Sequence, residues 1–332
     1  MYTFFQKTDV FNNILQYDPQ WHKYTVDGKP TFAITKLVGT IKEPFDAEKI
    51  APFSVKKYNE EHQTNITSDE LQAIWGAKNL ISSEKGNAFH EFIEHSLANK
   101  RYDYPVSHVN DVFAGNKKVG DRDIFLPENV KKLYGAYKDK ANKTFVDGKY
   151  GNKTVKEFFS MPALAYEFNN PVELLKESHD TITDQARQFL NDIKGKMYPV
   201  KSEMVIGSPK YQVVGTIDQL FYNVKSGKFE IWDWKTNSDF TYDDALCKYK
   251  MLAPYDYIKA TNFNEYCLQL ACYKIVFREM TGIELGNSYL CWFSEKEPKY
   301  KVFKCKEYEK EAMELLEKAK SLIPPPKPWE IR

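Results

Sequence analysis

The chain has 332 residues, 42% hydrophobic and 15% aromatic, which can build a sizeable core and excludes a wholly disordered chain. Lys plus Arg (47) and Asp plus Glu (46) nearly cancel, so any nucleic-acid-binding surface must be local. No apolar run approaches the ~20 residues of a membrane span, and the opening MYTFFQKTDVFNN lacks the basic and apolar regions of a signal peptide. The five cysteines, Cys247, Cys267, Cys272, Cys291 and Cys305, are odd in number and lack CxxC spacing, so they read as reduced core thiols of a cytoplasmic protein.

Residues 1–50 alternate short apolar runs with turns such as Asp27-Gly28-Lys29-Pro30, and TFAITKLVGTI (31–41) reads as a strand, or as a strand leading into a helix. Thr67-Ser68-Asp69-Glu70 opens a helix over 67–81, and a second element begins near Ser82-Ser83-Glu84. There Ala88, Phe89, Phe92, Ile93 and Leu97 recur at helical spacing, giving an amphipathic helix over 84–98. Residues 100–125 are loop-like, and helices are expected at about 127–145, 154–168 and 172–195. The pattern then switches to strands at 200–207, 211–223 and 227–236, the last two joined as a hairpin through Lys225-Ser226-Gly227-Lys228. A tyrosine-rich connection (240–261) leads to a helix over 262–280 that ends near Thr281-Gly282. NSYLCWF and KYKVFKC are two further strands, 306–322 is a charged amphipathic helix, and PPPKPWEIR is a tail.

The hairpin carries charges where a core strand should not. Side chains alternate faces along a strand, so Asp233 and Lys235 point one way and Trp234 the other. Phe229, Ile231, Trp232 and Trp234 make this strand apolar on both faces, and charges at its end are costly unless paired or bound to a metal. A turn centred near 225 and 226 sets Asp218 roughly opposite Asp233. A divalent cation relieves the repulsion of two such carboxylates, and oxygen ligands suit magnesium or manganese. Two acids, a divalent cation and a lysine are the components of a phosphodiester hydrolysis site. An ordinary ion pair is the plain rival, because acid-x-Lys also occurs at Asp27, Asp147, Asp192 and Glu297. Only Asp233-x-Lys235 ends an apolar strand paired with an acid-bearing one.

Gly215-Thr216-Ile217-Asp218, Asp233-Trp234-Lys235-Thr236 and Gln269-x-x-x-Tyr273, preceded by Gly86-Asn87-Ala88-Phe89-His90-Glu91, resemble the signature of the PD-(D/E)XK nucleases of the RecB type. That branch includes nuclease domains of bacterial recombination complexes, many phage exonucleases and mitochondrial genome maintenance exonuclease. The motifs anchor about 84–98 and 200–280; nothing in 100–198 maps onto the family. The resemblance implies a single α/β domain over 1–332, with a restriction-endonuclease-like core, a central mixed β-sheet flanked by helices, and a mainly helical insertion at about 100–198.

It further implies that Asp218, Asp233 and Lys235 are catalytic. Magnesium or manganese would be held by His90, Asp218, Asp233 and the backbone carbonyl of Trp234. Gln269 and Tyr273, four apart and so on one helix face, would look onto the site and the nucleic-acid backbone, a half-buried core tyrosine being the alternative for Tyr273; Thr236 and Asn237 either donate to a phosphate or simply end the strand. Glu203 sits on the preceding strand, where similar enzymes often have a glutamate; a solvent-facing strand residue is the alternative. His95 is the rival to His90 but faces elsewhere on the helix. Some members carry an iron–sulfur cluster with one cysteine upstream of the core; here the first cysteine is Cys247, after Lys235, so no cluster is expected. The implied activity is metal-dependent hydrolysis of linear DNA, single-stranded or frayed, by an exonuclease of replication, recombination or repair in a bacterial or phage-infected cytoplasm. A catalytically inactive DNA-binding module on the same fold is the alternative. In the connection, Tyr242, Lys248, Tyr249, Lys250, Tyr255, Tyr257 and Lys259 interleave aromatics with lysines, which suits single-strand binding or an ordinary packed loop.

Overall fold

The structure is a computed structural model that describes residues 15–18, 23–99, 160–168 and 171–323. The expected loop at 100–125, the helix at 127–145 and the PPPKPWEIR tail lie outside the described residues.

A small antiparallel sheet opens the chain, in the order β1 (Leu15–Asp18), β2 (Lys23–Val26), β3 (Lys29–Pro30). Asp27 and Gly28 turn β2 into β3 with φ of 53° and 67°, the left-handed pair that a two-residue hairpin turn requires. TFAITKLVGTI divides between a two-residue strand, β4 (Phe32–Ala33), and a short helix, α1 (Ile34–Gly39). Next comes α2 (Ala47–His62), an element that sequence periodicity did not reveal. Its start is capped by Asp46, whose side chain accepts from the Lys49 backbone N–H, while Pro52 inside it argues against a helix when only the sequence is considered.

Two expected helices are one. The helix α3 runs from Ser68 to Asn99 without a break at Ser82-Ser83-Glu84. It begins with a reciprocal capping box: Thr67 Oγ1 accepts from the Glu70 N–H at 3.2 Å, and the Glu70 carboxylate accepts from the Thr67 N–H at 2.8 Å. Polar residues at mid-helix do not end it because both halves are buried. Ala73, Ile74 and Ala77 pack with Leu164 and Phe168 around α4 (Pro162–Glu167), and Phe89, Phe92, Ile93 and Leu97 pack under the main sheet. Beside them lies α5 (Pro171–Asp192), which contributes Ile182, Ala186, Phe189 and Leu190.

The main sheet is mixed and six-stranded. It comprises β4, β5 (Met197–Ser208), β6 (Val213–Asn223), β7 (Lys228–Lys235), β8 (Ser288–Trp292) and β9 (Lys301–Lys304). The β5–β6, β6–β7 and β8–β9 pairs are antiparallel; β4–β6 and β7–β8 are parallel. The parallel β7–β8 step is crossed by α6 (Asn262–Thr281), capped by the Thr261 side chain and ended by Gly282 at φ 71°. On that face α6 packs with α1 and α7 (Glu309–Lys318), burying Ile231, Leu290, Leu268 and Val276. The opposite face holds Trp232, Trp234 and Phe293 against α3 and α5. The protein is therefore an α/β fold, a mixed sheet flanked by helices on both faces. Among the described residues no helix is long and apolar enough to cross a membrane. Cys267, Cys272, Cys291 and Cys305 are buried free thiols, and Cys247 is half-buried.

Candidate functional site

The site lies where β6 loses its neighbours on one edge. That edge is held by β4 at Val213 and Val214 and by β7 from Gln219 to Asn223. Among the described ladders, Gly215 to Asp218 have no strand partner there. Beyond the Gln219–Trp232 pair, β7 turns away to run alongside β8, where Asp233, Trp234 and Lys235 face Leu290, Cys291 and Trp292. The Asp218 carboxylate spans the opening and accepts from the Trp234 backbone N–H at 2.8 Å. This replaces a ladder bond and holds Asp218 against the end of β7.

Strand phase also slips here. Ile217 and Leu220, three apart, both enter the core beneath α6, which strict alternation forbids. On the partner strand Ser202 pairs with Gln219 and Met204 with Ile217, which leaves Glu203 beside Asp218 with φ 46°. A left-handed glutamate inside a strand costs roughly 1–3 kcal/mol, and such strain collects at functional sites. Its consequence here is direction: the Glu203 carboxylate comes within 3.5 Å of His90 Nδ1.

His90 arrives from α3. Phe89 and Ile93 fix that helix under the sheet, fully buried. Gly86 and His90 are one turn apart on one face, and a Cβ on Gly86 would meet Thr236 Oγ1 at 3.5 Å, so this face looks onto the end of β7. His90 Nδ1 is 3.9 Å from Asp218 Oδ2. One donor atom each from His90, Glu203 and Asp218 lie mutually within 4.8 Å. Burial opposes protonation of His90, but Asp218 and Glu203 outweigh it and raise its pKa. An imidazole nitrogen and two carboxylates this close together could hold a metal ion. His95 is exposed on another side of α3.

Asp233 and Lys235 form the second half. The Lys235 ammonium pairs with Asp233 Oδ2, and the two side chains are 16% and 3% exposed. The metal-donor grouping among the described residues takes in His90, Glu203 and Asp218 but not Asp233, on which the charges of Asp218 and His90 nevertheless act. Burial, and then the charge of Asp218, pushes its carboxyl up to about 6. Burial works against the charge on Lys235, but Asp233 and Asp218 hold its pKa above that of an ordinary lysine. Trp234 contributes its N–H to Asp218 and its ring to the aromatic layer with Phe189 and Phe221.

Gln269 and Tyr273 share a face of α6, and Gln269 Nε2 donates to Tyr273 Oη at 2.9 Å. Tyr273 is 2% exposed and lies against Gly215, where an added Cβ would meet its ring at 2.5 Å. The glycine of Gly215-x-x-Asp218 is thus the seat of this ring. Thr236 is buried at the end of β7, and Asn237 is bound within its own turn, its side chain donating to the Asp239 carbonyl and its carbonyl accepting from Trp292 Nε1. Two features escaped the sequence. Lys235 Nζ lies 4.2 Å from the ring centroid of Tyr266. Lys85, 2% exposed, pairs with Glu295 at 3.0 Å and so ties α3 to the loop after β8. Tyr266 was detectable only as a residue one turn before Gln269.

Fold and site together define an α/β protein with a histidine–carboxylate cluster and a buried aspartate–lysine pair at the parting of two strands. No family model and no curated protein matches the chain. Among solved structures, one described as "Crystal structure of SSO0001" is similar at 14% identity, over 72% of this chain and 89% of that one, with a TM-score of 0.25. A likeness that loose supports no reading of fold or site.

Proposed function

We propose that the protein is a metal-dependent deoxyribonuclease that hydrolyses phosphodiester bonds of linear DNA. The observation that carries this reading is the convergence, at one unpaired strand edge, of a three-donor cluster from α3, β5 and β6 with a lysine from β7. His90, Glu203 and Asp218 would hold magnesium or manganese, with Asp233 and the Trp234 carbonyl at the adjoining end of β7. Such a cation supplies activation of a water and polarisation of the phosphate. Lys235 stabilises charge that develops on the phosphoryl oxygens, and Asp233 keeps its ammonium charged and aimed. Gln269 fixes the Tyr273 hydroxyl, and Tyr273 packs β6 so that Asp218 meets Trp234.

Attack on a free end is favoured over attack within a strand by the resemblance to exonucleases. Exposed tyrosines and lysines in the connection before α6, Tyr242, Lys248, Tyr249 and Lys250, suit a single strand or frayed end. Linear and circular single-stranded DNA, compared with magnesium or manganese, test this. An exonuclease shortens the linear form and spares the circle; cleavage of circles makes the protein an endonuclease. Binding without cleavage of either would favour an inactive DNA-binding module.

A further inference from the structure

Lys235 has two neighbours of different kinds. Its Nζ pairs with Asp233 Oδ2 and also lies 4.2 Å from the centroid of the Tyr266 ring. Asp218 adds a second negative charge that acts on it. An ammonium on a flexible four-carbon stem, paired with one carboxylate and under the charge of a second, has more than one place to settle. A ring face admits a cation over its centre and so restricts that choice.

The Tyr266 ring is itself held. Phe240 stacks nearly parallel on it, at 13° and 6.1 Å between centroids. Phe240 is buried and wedged between Trp292 at 5.4 Å and Phe303 at 5.3 Å. Trp292 is the residue opposite Lys235 in the β7–β8 register, and its Nε1 donates to the Asn237 carbonyl at 2.8 Å. The lysine, the ring beneath it and the rings behind that one therefore form a closed series anchored on the same two strands. Next to Tyr266, Glu265 pairs with Lys42 beyond the end of α1, which fixes this turn of α6 from the other side.

We propose that Tyr266 is a positioning residue that seats the Lys235 ammonium, with Phe240 and Trp292 holding its ring in place. The effect on rate rests on the nuclease reading; the seat itself does not. The ring face carries the role, so Tyr266→Phe retains it and Tyr266→Leu removes it. Tyr266 is only half-buried, which makes both substitutions compatible with folding.

Two measurements test this. The first follows cleavage of end-labelled linear single-stranded DNA with manganese, together with the melting temperature of each variant. Tyr266→Leu should lower kcat about tenfold with KM little changed, and Tyr266→Phe should stay near the wild-type rate. The second records the Lys235 side-chain resonances, assigned by their loss in Lys235→Ala. The methylene protons next to Nζ should be shifted upfield by the ring in wild type and Tyr266→Phe, and unshifted in Tyr266→Leu. Wild-type kcat in Tyr266→Leu, equal impairment of Tyr266→Phe, or unshifted Lys235 resonances in wild type would each overturn the proposal. If the wild-type protein cleaves nothing, the nuclease reading falls and the resonances alone decide whether the seat exists.

Discussion

The Asp218 carboxylate and the Trp234 backbone N–H meet at 2.8 Å across the point where β6 and β7 part. The same oxygen, Oδ2, lies 3.9 Å from His90 Nδ1, so one atom both closes the ladder and faces the histidine. Asp218→Asn is expected to keep a hydrogen-bond acceptor for Trp234 while removing the negative charge. The variant should fold, melt within a few degrees of wild type, and lose cleavage by about 10²-fold or more. Cleavage at the wild-type rate by the folded variant would remove Asp218 from the chemistry.

Metal affinity should follow the observed cluster. His90→Ala and Glu203→Gln should each weaken manganese binding at least about tenfold, measured by titration calorimetry, since altering residues behind a ligand already costs ~10–100-fold. His95→Ala, on an exposed part of the same helix, should bind like wild type. Unchanged affinity in Glu203→Gln would return this residue to the role of a strained strand residue.

Gly215 makes a prediction about packing. A methyl group there would meet the Tyr273 ring at 2.5 Å, and that ring is buried and bound to Gln269. Gly215→Ala should therefore destabilise the fold by roughly 1–3 kcal/mol in denaturant unfolding. Combined with Tyr273→Leu, which lacks the ring, the two losses should sum to less than their separate values. Full additivity would mean that the clash is not the cause.

Acid stability should depend on His179, on α5. Burial lowers its pKa in the fold, with Asp180 raising and Arg187 lowering it as neighbouring charges. Below the unfolded histidine pKa of about 6.5 the unfolded chain then binds the proton better, so stability falls as pH falls. Asp233, raised to about 6, works in the opposite direction, because its folded form takes up the proton first. The comparison must therefore be between proteins: His179→Gln should lose less melting temperature between pH 7.5 and 5.5 than wild type. An equal loss in both would show that His179 does not contribute.

The residue types of the site were legible because they break a pattern: Asp218 and Asp233 interrupt apolar strands, and His90 follows Gly86 by one turn. Glu203 was visible only as one carboxylate on a strand. Its left-handed backbone depends on the pairing with β6, which no local sequence encodes. Tyr266 was hidden because a ring meeting an ammonium is a tertiary event between α6 and β7. In the fold, Thr67 and Glu70 announced α3 through local chemistry, whereas its continuity through Ser82 and Ser83 comes from burial of both halves. Pro52 concealed α2, although Asp46 is an ordinary cap.

In the proposed reaction, metal held beside His90, Glu203 and Asp218 and the charge of Lys235 act together on DNA. The direct measurement is cleavage of end-labelled linear single-stranded DNA by the full chain with magnesium, manganese or EDTA, beside Lys235→Ala. Wild type should shorten the DNA with either metal and leave it intact in EDTA, and a folded Lys235→Ala should lose at least ~10²-fold. Cleavage that persists in EDTA, or a folded Lys235→Ala as active as wild type, would contradict the proposed reaction.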